Sequence, residues 1–215
     1  MDIIDIFKEN KNQENALYMK KYMNNKFEFL GIKSPKRKEL QKDFLKQIDK
    51  KSSIDKELVR TLWNQEYREY QYLAIDYLVK KKKQLEKEDI LFIKGLINNK
   101  SWWDSVDILA AHLLGEICKM YPELVEEYIH SWSKDENIWI RRSAILYQLK
   151  YKDKLDTETL RIIINDNIQD DDFFIKKAIG WILREYSKTN KNWVLKFINE
   201  NQLSNLSMKE AIKYI

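Results

Sequence analysis

Apolar residues recur along this chain at the three- and four-residue spacing of amphipathic helices. Leu73, Tyr77 and Leu78 form one such stripe, and the segment 108–117 carries another. Short polar stretches, such as NNK at 98–100, separate the stripes. The pattern therefore predicts a chain of many short helices.

Four of the predicted helices align on one another when each is centred on an alanine. The aligned segments read LAIDYLV, LAAHLLG, SAILYQL and KAIGWIL, with their alanines at positions 74, 110, 144 and 178. Other helical stretches lie between them, at about 87–97, 122–132 and 156–166. A helix pair every 34–36 residues is typical of an α-solenoid, in which each pair buries its apolar stripe against the next. The sequence thus predicts an all-α solenoid of about six helix pairs with a concave binding face; a helical bundle without repeats is the alternative.

The composition excludes several classes of protein. The four glycines do not cluster as they do in loops that cradle nucleotide phosphates. Because Cys118 is the only cysteine and His112 and His130 lie far apart in sequence, we predict no disulfide framework, no metal site and no cofactor. The N-terminal MDIIDIFKEN does not resemble a signal peptide, and no apolar run is long enough for a membrane span. We therefore expect a cytoplasmic monomer with a single domain over residues 1–215.

The net charge of +5 is unevenly distributed. Residues 1–50 carry 12 basic and 8 acidic groups, whereas residues 101–150 carry 5 basic and 8 acidic groups. A mild basic excess permits a polyanionic partner, and a solvated lysine-rich surface is the alternative. The basic run from Lys80 to Lys83 is interpreted as a solvated helix end, with contacts to backbone phosphates as the other possibility.

A few positions depart from the packing pattern of the repeats. In the stretch SWWDSVD, Trp103 and Asp107 are four residues apart and share a helix face. Arg142 stands where the preceding repeat has Ile108, and Trp181 replaces a smaller apolar residue. Successive repeats thus offer a tryptophan with a carboxylate, a guanidinium and a second tryptophan.

Each of these positions also has a structural interpretation. Tryptophans in helical proteins are mostly packed in the core, and Asp107 near Arg142 would form a structural ion pair. Asp104 would be a charge at a helix N-terminus, with Ser101 as its N-cap. Spacing alone leaves these alternatives open.

Three segments closely resemble the DNA alkylation repair family, the AlkD-type HEAT-like-repeat glycosylases. They are SWWDSVD, IRRSAILYQL at 140–149 and FFIKKAIGWILREYSK at 173–188. The segment YMKKYMNNKFEFLGIKSPKRK at 18–38 is similar to the opening of the family, and the resemblance runs from about residue 12 to residue 212. It implies a solenoid of HEAT-like helix pairs that holds duplex DNA in a concave cleft and removes alkylated purines without enclosing them in a pocket.

The resemblance also implies roles for individual residues. It makes Asp107, Trp103 and Trp181 the catalytic residues and gives Arg142 a phosphate contact. The tyrosine before the GIKSP segment falls on Tyr22, one turn from Tyr18. The complete set of expected DNA-binding residues is Arg142, Tyr22, Lys36, Arg37, Lys38 and Arg184.

The chemistry of alkylated purines suits this set of side chains. Alkylation at N3 of adenine or N7 of guanine makes the base cationic, so that it leaves neutral and needs no general acid. Asp107 would stabilise the cationic sugar that develops, and the two indoles would attract cationic groups. No lysine stands out as a Schiff-base nucleophile, so the expected activity is that of a monofunctional alkylpurine DNA glycosylase, a hydrolase. The alternative is a non-catalytic HEAT-like scaffold that binds DNA or protein.

Overall fold

The computed structural model describes residues 2–215. Across this range the chain forms helices and no β-strand, and only an isolated parallel bridge joins Glu28 to Tyr67. The chain divides into two compact units, one ending at Gln84 and the other running from Leu85 to Ile215. The all-α fold class predicted from the sequence is confirmed, and the single domain over 1–215 stays a prediction.

The N-terminal unit is centred on α6, the longest of its helices. Most residues of α6 are buried. Helix α5 packs against it, the turn before α3 hydrogen-bonds to Glu69, and the loop after α4 accepts a hydrogen bond from Lys81. A short 3-10 turn, Lys82–Gln84, ends the unit. Its helices are α1 (Ile3–Glu9), α2 (Gln13–Tyr22), α3 (Ser34–Leu40), α4 (Lys42–Gln47), α5 (Lys56–Asn64) and α6 (Arg68–Lys81).

The C-terminal unit contains the three later alanine-centred helices. Two π-helical segments interrupt it: Leu109–Leu114 joins α8 to α9, and Val125–Ile129 runs into α10. A 3-10 turn, Lys152–Lys154, precedes α12. The α-helices are α7 (Asp89–Asn98), α8 (Trp103–Ile108), α9 (Gly115–Met120), α10 (His130–Trp132), α11 (Ile138–Leu146), α12 (Thr157–Asn167), α13 (Phe173–Ser187), α14 (Lys191–Glu200) and α15 (Asn205–Ala211).

Short polar side chains start many of these helices. At each such N-cap a side-chain oxygen accepts a hydrogen bond from a backbone N–H of the first turn, which satisfies a donor that the helix leaves open. The residues that do so are Asp2, Asn12, Asp55, Asn137, Asp156, Asp172, Asn190 and Ser204. The helix boundaries are thus encoded locally.

The alanines of the repeat lie where neighbouring helices meet. Ala110 lies in the first π-helical segment, Ala144 in α11 and Ala178 in α13, and all three are fully buried. The α8–π segment packs on α11, and α11 packs on α13. The predicted side-by-side stacking is therefore confirmed for these three helices. The fourth alanine, Ala74, is also fully buried, in α6 of the other unit.

A glycine allows α15 to pack closely on α13. A Cβ added to Gly180 would lie 2.5 Å from Cβ of Glu210 and 2.7 Å from the carbonyl oxygen of Ser207. Real Cβ atoms do not approach other atoms so closely. Gly180 therefore brings the last helix of the chain against the helix that carries Trp181.

A buried carboxylate fixes the chain between α2 and α3. Glu69 of α6 is fully buried and accepts hydrogen bonds from the backbone N–H groups of Leu30, Gly31 and Ile32, at 2.9–3.0 Å. Gly31 has a φ of +86°, and a Cβ there would collide with the carbonyl oxygen of Asn12. This turn packs against the N-terminal end of α2, where the backbone N–H of Asn12 donates to the carbonyl oxygen of Leu30 at 2.8 Å. Among residues 2–215, no helix is long and apolar enough to cross a membrane.

Candidate functional site

Asp107 and Arg142 form a bidentate ion pair between α8 and α11. Nε of Arg142 donates to Oδ1 of Asp107 at 2.7 Å, and Nη2 donates to Oδ2 at 2.8 Å. The third guanidinium nitrogen, Nη1, donates to the backbone carbonyl oxygen of Phe174 at the start of α13. Parallel hydrogen bonds of this kind are among the strongest that side chains make. One arginine thus connects three successive helices of the repeat.

Burial sets the electrostatics of this pair. Arg142 is 5% exposed and the Asp107 side chain 12% exposed. Burial raises the pKa of the Asp107 carboxyl above its usual value, the hydrogen bonds and charge of Arg142 oppose that rise, and the charge of Asp104 adds to it. Arg142 thus favours the ionised form of this largely buried carboxylate, and its removal would raise the pKa of Asp107 further.

The two predicted tryptophans lie on α8 and α13, two of the three helices that Arg142 connects. Trp103 begins α8 one turn before Asp107, and Trp181 lies on α13; both are half-buried. Trp181 follows Phe174 by seven residues, so the two share one face of α13. Each tryptophan therefore lies on a helix that accepts a hydrogen bond from Arg142.

Three aromatic rings pack together at the N-terminal ends of α8, α11 and α13. The ring centroids of Trp102 and Trp139 are 5.4 Å apart, those of Trp102 and Phe174 are 5.1 Å apart, and those of Trp139 and Phe174 are 4.9 Å apart. The guanidinium carbon of Arg142 lies 6.0 Å from the centroid of the Phe174 ring. This cluster fixes the backbone whose carbonyl accepts from Arg142.

The neighbouring arginine secures the same segment from the other side. Nη2 of Arg141 donates to Oδ2 of Asp170 at 2.7 Å. Asp170 in turn accepts from the backbone N–H of Asp172 at 2.8 Å, and Asp172 caps α13 by accepting from the N–H of Phe174 at 2.7 Å. A continuous chain of hydrogen bonds thus runs from Arg141 to the residue that accepts from Arg142.

Arg184, predicted to contact DNA, forms an ion pair within the C-terminal unit. It lies about 15 Å along α13 from Phe174 and donates to Glu210 of α15. Glu210 also accepts from Lys177 at 2.5 Å and from Lys213 at 3.0 Å. Burial alone would raise the pKa of Glu210, but its cationic neighbours outweigh this and lower the pKa to about 2.

The remaining predicted DNA contacts belong to the N-terminal unit. Tyr22 is 71% exposed and lines a shallow apolar pocket of about 360 Å³ together with Tyr18. Lys36 pairs with Glu39 on the surface, and Lys38 is exposed.

Arg37 differs from its neighbours because its side chain is buried. Its Nη1 donates to Asp76 at 2.7 Å and to Gln41 at 2.9 Å, and its guanidinium lies 5.1 Å from the centroid of the Tyr72 ring. The side chain thus attaches α3 to α6. Its predicted DNA contact would compete with these bonds.

No metal site accompanies these residues. Across residues 2–215, no three histidine, cysteine, aspartate or glutamate side chains are grouped so as to hold a metal ion. Asp107 itself offers a preoriented negative charge, held by two hydrogen bonds from Arg142, with aromatic rings on the same and adjoining helices.

Comparison with known proteins identifies the family. The sequence model of the family described as DNA alkylation repair enzyme matches residues 3–215 of this chain. The chain belongs to this family. Its resemblance to the family, first seen in the motifs, is thereby confirmed over nearly the whole sequence, and membership gives the protein a role in the repair of alkylated DNA.

Solved structures similar to this DNA alkylation repair protein agree with its fold. A predicted DNA alkylation repair enzyme from Enterococcus faecalis is 35% identical, with 95% of this chain and 96% of that chain covered and a TM-score of 0.87. AlkD2 from Streptococcus mutans is 19% identical over 84% of this chain and 89% of that one, with a TM-score of 0.61. The protein smu.31 from Streptococcus mutans UA159 is 20% identical over 83% and 97%, with a TM-score of 0.60. At these lower identities the likeness shows the fold alone. A search of curated protein sequences with this chain found no match.

The motifs of this repair family located Asp107 and Arg142 but not the residues that support them. Three supporting features have no sequence signature: the bond from Arg142 to a backbone carbonyl, the bond from Arg141 to Asp170, and the ring cluster. The two bonds join residues 29 and 32 positions apart, and the ring cluster brings together Trp102 and Phe174, which are still farther apart in sequence. The expected N-cap role of Ser101 is wrong. Its hydroxyl donates to the carbonyl of Ile97 at the end of α7, and the N-cap of α8 is Trp102, which makes no side-chain cap.

Proposed function

We propose that this protein is a monofunctional DNA glycosylase, which hydrolyses the N-glycosidic bond of cationic N3- and N7-alkylated purines in duplex DNA. The observation that carries the proposal is the buried Asp107 carboxylate, held by two hydrogen bonds from Arg142 one helical turn from Trp103. We further propose that it acts as a cytoplasmic monomer without a cofactor and holds the duplex on a concave face.

The substrate determines what the protein must supply. A purine alkylated at N3 or N7 is positively charged and leaves as a neutral base, so protonation by an acid is unnecessary. The sugar acquires positive charge as the bond breaks. A fixed carboxylate beside the anomeric carbon stabilises that charge and orients the attacking water. In this proposal Asp107 has that role.

The surrounding residues divide the remaining tasks. Arg142 orients Asp107 and favours its ionised form, and three of its five N–H bonds are used within the protein. In this proposal the other two contact a backbone phosphate at the small exposed part of the side chain. Trp103 and Trp181 present electron-rich faces to the cationic nucleotide. Tyr22, Lys36 and Lys38 contribute contacts to the duplex from the N-terminal unit.

The proposal is tested by following base release from a methylated duplex. Asp107→Asn keeps the size of the side chain and removes its charge, so the rate of release should fall by about 100-fold or more. Asp104→Asn is the matched control, because it makes the same change in the same helix. The control should keep a rate close to that of the wild-type protein.

The competing function is a non-catalytic scaffold, in which the Asp107–Arg142 pair serves only to join two helices. In that case the wild-type protein binds duplex DNA but releases no base. Full activity in Asp107→Asn would contradict the mechanism without contradicting the family, since another group would then have to stabilise the sugar.

A further inference from the structure

We propose that the groove between α3–α4 and α6 binds the phosphates of one strand of duplex DNA. The groove lies within the N-terminal unit, has a volume of about 510 Å³, and is lined by the four lysines Lys38, Lys42, Lys46 and Lys80. The inference deepens the proposed function, on which it rests for the choice of duplex DNA as the ligand. It extends the expected contact at Lys38 to Lys42 and Lys46, which the family motifs do not single out.

Three of the lysines form a stripe along one helical face. Lys38, Lys42 and Lys46 follow one another at intervals of four residues. The two helices are nearly continuous, because Gln41 between them is in the right-handed helical region, donates to the carbonyl of Arg37 and accepts from the N–H of Leu45. The stripe therefore places like charges next to each other, which destabilises a helix unless an anion neutralises them.

Nearby acidic groups leave these lysines unneutralised. Asp76, on the α6 side of the groove, already accepts from Arg37 and from Gln41. Glu39 pairs with Lys36, outside the groove. Asp43 precedes Lys46 by three residues but makes no ion pair with it in the part of the chain that the structure describes.

The stripe also lacks partners of its own. Lys38, Lys42 and Lys46 are all exposed, and across residues 2–215 none of their ammonium groups makes an ion pair or a side-chain hydrogen bond. The groove is thus a positive surface with its charges available to solvent.

The shape of the groove suits a phosphate backbone. Leu45 and Val79 form apolar parts of its lining, and the Lys80 ammonium donates to the carbonyl of Leu45, which ties α6 to α4. Eight residues of helix separate Lys38 from Lys46, a rise of about 12 Å. One DNA strand carries a phosphate about every 3.4 Å of helix axis, so the stripe spans about three to four phosphates. Lysines act as point charges, and such contacts would be independent of base sequence.

The test measures binding of the full-length protein to an undamaged duplex at several salt concentrations. In the variant Lys38→Gln/Lys42→Gln/Lys46→Gln, the slope of log affinity against log salt should become shallower by about 2 to 3, because each phosphate contact contributes about 0.9. The matched control is Lys150→Gln/Lys154→Gln/Lys191→Gln, which removes three exposed charges from the C-terminal unit. Its slope should change by less than about 1.

Replacing the same three lysines by arginine should preserve the slope, since the charges remain. Equal losses of slope in the groove variant and in the control would overturn the proposal, because net charge alone would then explain them. Loss of binding to phosphatidylglycerol vesicles with unchanged binding to DNA would also overturn it and assign the groove to a lipid surface. Because the duplex is undamaged, this test does not depend on base release, and failure of the glycosylase assay would leave its result intact.

Discussion

Arg142 donates one hydrogen bond to each carboxylate oxygen of Asp107, so the charge of the proposed catalytic group depends on a single partner. Burial favours the protonated acid and the guanidinium favours the carboxylate. The two effects act on the same group in opposite directions. The pH dependence of base release should therefore report on the arginine.

Arg142→Gln should move the acid limb of the pH–rate profile to higher pH. In the proposed mechanism base release needs the carboxylate, so activity should be lost as the pH falls through the pKa of Asp107, which burial already raises. Without the guanidinium nothing opposes that rise, so protonation begins at a higher pH. Single-turnover release from methylated duplex between pH 5 and 9 measures the shift.

The variant should also be less stable, by about 3 kcal/mol, because it leaves a buried carboxylate unpaired. Assays must therefore be run well below its melting temperature. Arg142→Lys keeps a cation and should show a smaller shift of the acid limb. An unchanged limb in Arg142→Gln would mean that Asp107 is not the titrating group.

Arg141 is expected to position the site without touching the substrate. Arg141→Gln breaks its bond to Asp170 and loosens the start of α13, whose Phe174 carbonyl accepts from Arg142. Base release should slow by about tenfold, since small displacements of catalytic groups are costly. The acid limb should move in the same direction as in Arg142→Gln, which a purely structural loss would not produce.

The control for this network is the ion pair between Lys134 and Asp166, in which Nζ lies 3.4 Å from Oδ1. Lys134→Gln should leave rate and pH profile unchanged. Asp170→Asn should reproduce the effect of Arg141→Gln, and the double variant should be no worse than either single one. Additive effects would show that the two residues act separately.

The tryptophans should matter only for cationic lesions. Trp103→Leu and Trp181→Leu should each slow the release of a methylated purine by about tenfold, through loss of attraction between an indole and a positive charge. Uracil, which leaves as an anion, should not be released by any of the proteins. Trp193→Leu, in α14, is a control that changes packing away from the proposed site. Rapid excision of uracil would contradict the mechanism.

Glu210 should make the protein sensitive to acid. Its pKa is about 2 in the folded protein against an ordinary 4.5, so it contributes stability above pH 4.5 and loses it as the pH falls towards 2. Glu210→Gln should lower the free energy of unfolding at pH 7 by on the order of 2 kcal/mol. Urea unfolding at pH 7 and pH 3 measures this, and the difference between variant and wild type should shrink at the lower pH. Glu185→Gln, whose carboxylate pairs with Lys188 on the surface, is the control.

The helical repeat was predictable because its signal is local. Burial imposes an apolar residue every three or four positions, and the intervening helices predicted at about 87–97 and 156–166 occur at Asp89–Asn98 and Thr157–Asn167. The two π-helical segments were not predicted, since the apolar pattern of Leu109–Leu114 also fits an α-helix.

The site was predictable only in part. Residue types and motifs singled out Asp107 and Arg142, and the ion pair between them was left open as one interpretation. Two ion pairs were not predicted: Arg37 with Asp76, and Arg184 with Glu210. Each pair joins two different helices that are separated in sequence. An arginine's charge is visible in a sequence, but its partner is fixed only by the packing of the helices.

The π-helical segment Leu109–Leu114 begins two residues after Asp107 and ends where α9 starts. Its wider turn accommodates an extra residue, so α8 is rotated about its axis by about 100° from where an uninterrupted α-helix would place it. At its far end, α9 is anchored where the carbonyl of Gly115 accepts from the hydroxyl of Tyr151 at 2.8 Å. The number of residues in this short stretch, rather than their chemistry, thus sets the direction in which the carboxylate points. Deleting one of them would turn Asp107 away from its arginine while every side chain of the site remained in the sequence.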